Sequence, residues 1–170
     1  MIANAIDIID NNIDKAFSIG PVKDGQITND DTISFTNMLP DIHEYIKPKL
    51  ENHFKVKLKK TNDFGRIYTQ GAALRNHKDS WHCQYSATIN LLNVPSNGRW
   101  LFLTSIDNKN WTEYEMSPGD CVVYEGLKLN HKRNALEYEE CYQWFFHYIE
   151  ENGQYDNQHY YGSRYENKNI

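Results

Sequence analysis

"YSATINLLN", residues 85–93, carries two alternating faces. Ser86, Thr88 and Asn90 share one side of an extended chain, and Ala87, Ile89 and Leu91 share the other, because successive side chains of a strand point to opposite faces. A strand covered by apolar layers on both sides would not hold three polar residues in register. Two readings fit: the polar face looks at water, as in many antiparallel sheets, or it lines a polar cavity inside a barrel.

The neighbouring sequence repeats this style. "RIYTQGAALRNHKD" precedes it, and "RWLFLTSID", "TEYEMSPGDCVVYEG" and "ECYQWFFHYIE" follow. These segments are short and rich in β-branched and aromatic residues. Turn signals separate them at Pro95-Ser96-Asn97-Gly98, Asp107-Asn108 and Pro118-Gly119-Asp120. Many short strands of similar spacing predict a sandwich, jelly roll or barrel.

Before residue 57 the period is helical. Ile2, Ile6, Ile9, Ile13 and Phe17 form one apolar stripe, and Ile42, Ile46 and Leu50 form another within about 40–54. Pro48 is expected to kink or split the second helix. Residues 20–31 read as a loop, and the Tyr-rich, polar 151–170 as an irregular tail.

Composition excludes several classes. The chain has 170 residues, which suits one domain, and a net charge of −5 with no Lys/Arg run, so nucleic acid is not an expected partner. Three cysteines, an odd number with no CxxC, speak against a disulfide framework or a thiolate zinc site. The acidic start "MIANAIDIIDNNID" lacks a cationic segment, and nothing approaches the roughly 18 apolar residues of a membrane span. A cytoplasmic protein without a membrane partner is the expectation.

Of seven histidines, His77 stands two residues before Asp79 and His131 lies 54 residues further on. Residues i and i+2 of a strand point the same way, so His77 and Asp79 could face one point. The interval to His131 has room for about four strands at roughly ten residues each. Two histidines and a carboxylate on one face of a metal leave three positions open, a geometry suited to Fe(II). His-x-Asp alone is a weak signal and reads first as a solvated turn.

It does not stand alone. The pattern Tyr68, Gly71, Leu74, His77, Asp79, followed in order by "SATINLLN", "PGD-x-V-x-Y" and His131-Lys132-Arg133, resembles the Fe(II)/2-oxoglutarate-dependent oxygenases, and most of all the small prolyl 4-hydroxylase-like group of phage and bacterial type. The resemblance covers about residues 60–150. It implies a mainly β fold with N-terminal helices: a double-stranded β-helix, the cupin-like jelly-roll barrel. It implies a single oxygenase domain over 1–170, with 1–56 as helical support, 57–150 as jelly-roll core and 151–170 as tail. Fe(II) would be held by His77, Asp79 and His131, with 2-oxoglutarate as co-substrate and ascorbate as auxiliary reductant. The implied reaction hydroxylates a peptide, a protein (at a prolyl residue in the group's own pattern) or an amino-acid-like small molecule, and releases succinate and CO2. Related halogenases lack the carboxylate at the Asp79 position, so its presence here favours hydroxylation.

One element departs from that pattern. The cation that meets the distal carboxylate of 2-oxoglutarate in prolyl 4-hydroxylases falls at Cys141, ten residues past His131, and Gln143 beyond it is also uncharged. Arg133, two residues after His131, is the best substitute, because it would point into the same cavity. Arg75 is second, although a surface role suits it better. Tyr68, Thr88, Asn90 and Gln143 complete the expected co-substrate contacts. The missing cation also motivates an alternative, a catalytically inactive binding module of the same fold, and a cupin-like metalloenzyme without 2-oxoglutarate is a third reading. Elsewhere, His82 reads as a surface residue and His147 as a buried, hydrogen-bonded one. Trp100, Trp144, Phe145 and Phe146 read as core, and Cys83, Cys121 and Cys141 as small buried side chains.

Overall fold

The computed structural model describes residues 25–28, 33–36 and 40–158. The apolar stripe at Ile2–Phe17 and the last twelve residues lie outside them. Helix α1 (Pro40–Phe54) is unbroken by Pro48. The carbonyl that Pro48 deprives of a donor belongs to Glu44, which is exposed, so water can satisfy it. Lys55, at φ 60°, ends the helix in the left-handed region and returns its N–H to Glu51 O at 2.9 Å.

Among the described residues nine strands follow the predicted punctuation: β1 (Ile33–Thr36), β2 (Leu58–Thr69), β3 (Leu74–His77), β4 (Tyr85–Val94), β5 (Phe102–Ser105), β6 (Thr112–Tyr114), β7 (Cys121–Glu125), β8 (Asn130–Arg133) and β9 (Glu140–Glu150). All pair antiparallel. The larger sheet runs β1-β2-β9-β4-β7 and the smaller β3-β8-β5-β6. From β2 onward the chain passes back and forth between the sheets, with only β5 and β6 consecutive in one sheet, which is the jelly-roll winding of a double-stranded β-helix.

The outer face of the larger sheet is apolar. Ile67, Ala87, Ile89, Trp144, Phe146 and Tyr148 pack there against Ile42, Ile46 and Leu50 of α1. That accounts for the helical stripe. Each buried Leu or Ile there contributes about 1.5–3 kcal/mol of transfer free energy. Between the sheets, Tyr68, Leu74, Trp100, Cys141 and Phe145 close one end, and Phe102, Met116 and Tyr124 form a second apolar group.

The polar face of β4 corrects one of the two sequence readings. Ser86, Thr88 and Asn90 are all at 0 % exposure. They point between the sheets, not to water, because the smaller sheet covers them. Register places Ser86 opposite His147 and Asn90 opposite Gln143 on β9. The barrel therefore has a polar interior flanked by apolar groups. Beyond β9, the described part of the tail is a run of turns, tied back where Lys59 Nζ meets Asp156 at 2.8 Å.

Candidate active site

His77 ends β3 and His131 lies in β8, directly opposite it in the register, so both rings project to the same side with centroids 4.2 Å apart. Asp79 lies just past the strand end. Its N–H donates to Gly126 O at 3.0 Å, which turns the carboxylate inward while Lys78 stays exposed. Asp79 Oδ1 is 3.6 Å from His77 Nε2 and 3.4 Å from His131 Nε2. One donor atom from each residue lies within 4.8 Å of the others.

The tautomers follow from the carbonyls behind the rings. His77 Nδ1 is 2.7 Å from Arg75 O, and His131 Nδ1 is 3.2 Å from Leu129 O. A carbonyl only accepts, so each Nδ1 carries a hydrogen, and in the neutral ring each Nε2 presents a lone pair toward Asp79. Backbone orientation of a ligating histidine through its second nitrogen is usual at metal sites. Burial pushes the Asp79 carboxyl up, but when His131 and His77 carry a proton on Nε2 their hydrogen bonds, with the charge of His131, outweigh it and hold the group well below the usual carboxylate range. Asp79 is therefore ionised. Two neutral imidazoles and one carboxylate suit a divalent transition metal such as Fe(II). Tyr124 and Phe102 wall His131, at ring separations of 5.0 and 5.6 Å.

One strand step deeper lies Arg133, on the same face of β8 and 3 % exposed. Its guanidinium lies over the rings of Trp100 (4.7 Å) and Phe102 (5.0 Å). Nη1 donates to Trp100 O at 2.7 Å, and Nη2 is 3.2 Å from Met116 Sδ and 3.4 Å from Gln143 Oε1. Among the described residues no carboxylate pairs with it. Burial lowers its pKa, yet guanidinium keeps its proton in proteins. A buried cation with only neutral partners is costly, and the site is set up for an anion. Arg75, the other candidate cation, is exposed and donates to Gly25 O at 2.9 Å, away from the interior.

The remaining expected contacts surround Arg133. Tyr68 is buried, its ring 4.8 Å from that of Trp100. Thr88 Oγ1 donates to Gln143 Oε1 at 3.2 Å, Asn90 Nδ2 to Met116 O at 2.9 Å, and Gln143 Nε2 to Cys141 Sγ at 3.1 Å. Cys141, where a cation was sought, is a neutral thiol pushed further from ionisation by burial.

Solved structures share this architecture. An oxidoreductase of the 2OG-Fe(II) oxygenase family from Burkholderia pseudomallei matches with a TM-score of 0.70 at 14% identity, over 89% of this chain and 81% of that one. The viral collagen prolyl hydroxylase of Paramecium bursaria Chlorella virus-1, solved with 2-oxoglutarate, matches at 0.56 and 12% identity, over 84% and 88%.

The chain has the prolyl 4-hydroxylase-like fold of the 2-oxoglutarate/Fe(II) oxygenases.

A third neighbour with this oxygenase fold is a Trichoplax adhaerens prolyl hydroxylase in complex with a peptide fragment of hypoxia inducible factor. It matches at 0.62 and 8% identity, over 88% of this chain and 79% of that one. No family model matches the chain, and no curated protein matches it in sequence. At these identities the likeness is one of fold.

Within the oxygenase fold three further residues touch the site that sequence reasoning did not single out. Ser86 Oγ lies 3.1 Å from Asp79 Oδ2 and 2.9 Å from His147 Nδ1. Tyr124 lies beside His131, and Gly126 lies against Asp79. The polar face of β4 hinted at Ser86. "YEG" at 124–126 reads only as a strand end and a turn. His147 is buried, as expected. His82 is half-buried rather than at the surface; its carbonyl accepts from Thr61 Oγ1 at 2.6 Å. Cys83 and Cys141 are buried, Cys121 is half-buried, and all three are free thiols.

Proposed function

We propose that this chain is an Fe(II)- and 2-oxoglutarate-dependent dioxygenase whose residues 1–170 act as a single oxygenase domain. The observation that carries the reading is a pairing. A His77–Asp79–His131 donor set with both Nε2 lone pairs turned inward stands one strand step from the buried Arg133, which has no carboxylate partner among the described residues.

His77, Asp79 and His131 would hold the metal. When bound, Fe(II) supplies the redox chemistry that couples decarboxylation of 2-oxoglutarate to hydroxylation of the substrate, yielding succinate and CO2. The chain's own contribution is placement. Arg133 would anchor the distal carboxylate of 2-oxoglutarate through charge-assisted hydrogen bonds. Tyr68, Thr88, Asn90 and Gln143 would bound the chamber and fix the co-substrate's direction, and Phe102 and Tyr124 keep water from the back of His131. Ascorbate would act as auxiliary reductant.

The substrate class is a peptide or protein, at a prolyl residue in the first instance, or an amino-acid-like molecule. Prolyl hydroxylases among the fold neighbours, one of them solved with a peptide, support it. No described helix is long and apolar enough to cross a membrane, and three free cysteines suit the reducing cytoplasm. The alternative of an inactive binding module rests on Cys141. It loses force because Arg133 offers the charge that Cys141 does not.

The test is direct. Protein reconstituted with Fe(II), ascorbate and 2-oxoglutarate should form succinate, even without substrate through uncoupled turnover, and His131→Ala should abolish it. Wild-type protein that loads iron yet gives no succinate with any candidate peptide sinks the dioxygenase reading and leaves the binding module.

A further inference from the structure

Ser86 and His147 face one another across β4 and β9, at 0 % and 3 % exposure. The Ser86 hydroxyl lies against His147 Nδ1 at 2.9 Å, Asp79 Oδ2 at 3.1 Å and Cys83 O at 3.3 Å, with the Tyr124 hydroxyl also within hydrogen-bonding reach. The hydroxyl has one hydrogen to give. An ionised carboxylate accepts and never donates, and its charge makes it the stronger acceptor of the two oxygens. Ser86 therefore donates to Asp79 Oδ2.

His147 must then be the donor to Ser86. Burial pushes its imidazole down to about 4, so it is neutral and carries one N–H, which sits on Nδ1. Its Nε2 is left as a bare nitrogen, and it is the one with no hydrogen-bond partner among the described residues. A buried acceptor without a partner is better tolerated than a buried orphan N–H. Phe64, with its ring 5.5 Å from the imidazole, holds the ring plane. Every hydrogen in the chain His147–Ser86–Asp79 thus has one direction.

We infer that Ser86 and His147 are positioning residues that brace the Asp79 carboxylate, tying down Oδ2 so that Oδ1 alone is offered toward His77 and His131. This rests on the metal site proposed above. The brace keeps Asp79 a one-oxygen ligand. A carboxylate free to rotate could bind through both oxygens and close one of the positions that co-substrate and O2 require. The donor atoms of Asp79, Cys83 and His147 also lie within 4.8 Å of one another, which could read as a second cation site. The Ser86 hydroxyl sits among them, bonded to Asp79 and His147 and in contact with the Cys83 carbonyl, so the brace accounts for the cluster without another ion.

The experiment titrates metal-free protein with Mn(II), following free ion by electron paramagnetic resonance, and records the visible spectrum of the Co(II) form as a report on coordination. Thermal melts check folding. Ser86→Ala should weaken Mn(II) binding about 10–100-fold and alter the Co(II) spectrum, while Ser86→Thr, which keeps the hydroxyl, restores both. His147→Phe, which keeps a ring without a donor, should match Ser86→Ala. His147→Asn, which keeps a donor near Nδ1, should stay close to wild type. The double variant Ser86→Ala/His147→Phe should bind no more weakly than either alone. Wild-type affinity and an unchanged spectrum in Ser86→Ala overturn the brace and leave the metal site standing. Wild-type protein that binds no Mn(II) overturns both. If Ser86→Ala does not fold, the contrast between His147→Phe and His147→Asn decides the question in its place.

Discussion

Gly126 lies so close to Asp79 that a β-carbon on it would come within 2.8 Å of Asp79 Cβ and overlap the carboxylate Oδ2. The loop after β7 therefore closes on the carboxylate from the side opposite the two histidines. Gly126→Ala should push Asp79 off its position. The expected cost is about 10–100-fold in Mn(II) affinity, with about 1–3 kcal/mol lost in stability from overpacking. Metal titration beside a denaturant melt checks both. Undiminished affinity in a folded variant would mean that the carboxylate has room to spare.

Arg133 should be a residue that function keeps at the expense of stability. In the free protein its guanidinium meets a carbonyl, a thioether, an amide and two ring faces. Arg133→Met fills similar space without the buried charge, so the free variant should melt at the same temperature as wild type or higher. Wild type should gain about 2.7 kcal/mol from 2-oxoglutarate at one hundred times its Kd, and the variant should gain none. A melting shift that survives in Arg133→Met would place the co-substrate elsewhere.

The cation should be movable between strands. Cys141 belongs to the same polar group as Arg133, through Gln143. Arg133→Met/Cys141→Lys gives up the guanidinium on β8, adds the bulk of a lysine at buried Cys141 and sets a positive charge on β9. Part of the 2-oxoglutarate-induced shift lost in Arg133→Met should return. No recovery in a folded double variant would show that the direction of approach matters as much as the charge.

Acid should weaken the metal-free protein through His147. Burial lowers its pKa from 6.5 to about 4. A histidine depressed in the folded state binds its proton more readily when unfolded, so its stability contribution is complete above pH 6.5 and drains away as pH falls toward 4. The full loss is about 3 kcal/mol at about 1.36 kcal/mol per unit. Urea midpoints between pH 7 and 4 should fall less steeply in His147→Phe than in wild type. Parallel profiles would contradict this.

The strands were legible because "SATINLL" and its neighbours alternate and are cleanly punctuated. The distance between His77 and His131 was legible because the 54 residues from one to the other hold four strands, β4 to β7. Alternation could say that Ser86, Thr88 and Asn90 face one way. It could not say what covers them, because the covering sheet comes from residues far along the chain. The same limit hid Gly126, whose role arises only when the loop after β7 meets the turn after β3. Pro48 misled for a local reason: a helix tolerates proline where the freed carbonyl is solvated. Arg133 was found through its two-residue offset from His131, but the neutrality of its surroundings is a property of packing.

The side chains that build the proposed metal site, counting those that hold Asp79, come from both sheets. His77 and His131 belong to the smaller one, and Ser86 and His147, which grip Asp79, belong to the larger. The link has a mechanical consequence. β3 is a four-residue edge strand, the kind of element that opens first in native-state fluctuations. An ion at the site would rivet it to the opposite sheet, and amide hydrogens of β3 and β8 should then exchange more slowly while those of β2 and β9 hardly change. In that sense the centre doubles as a latch on the barrel's weakest seam.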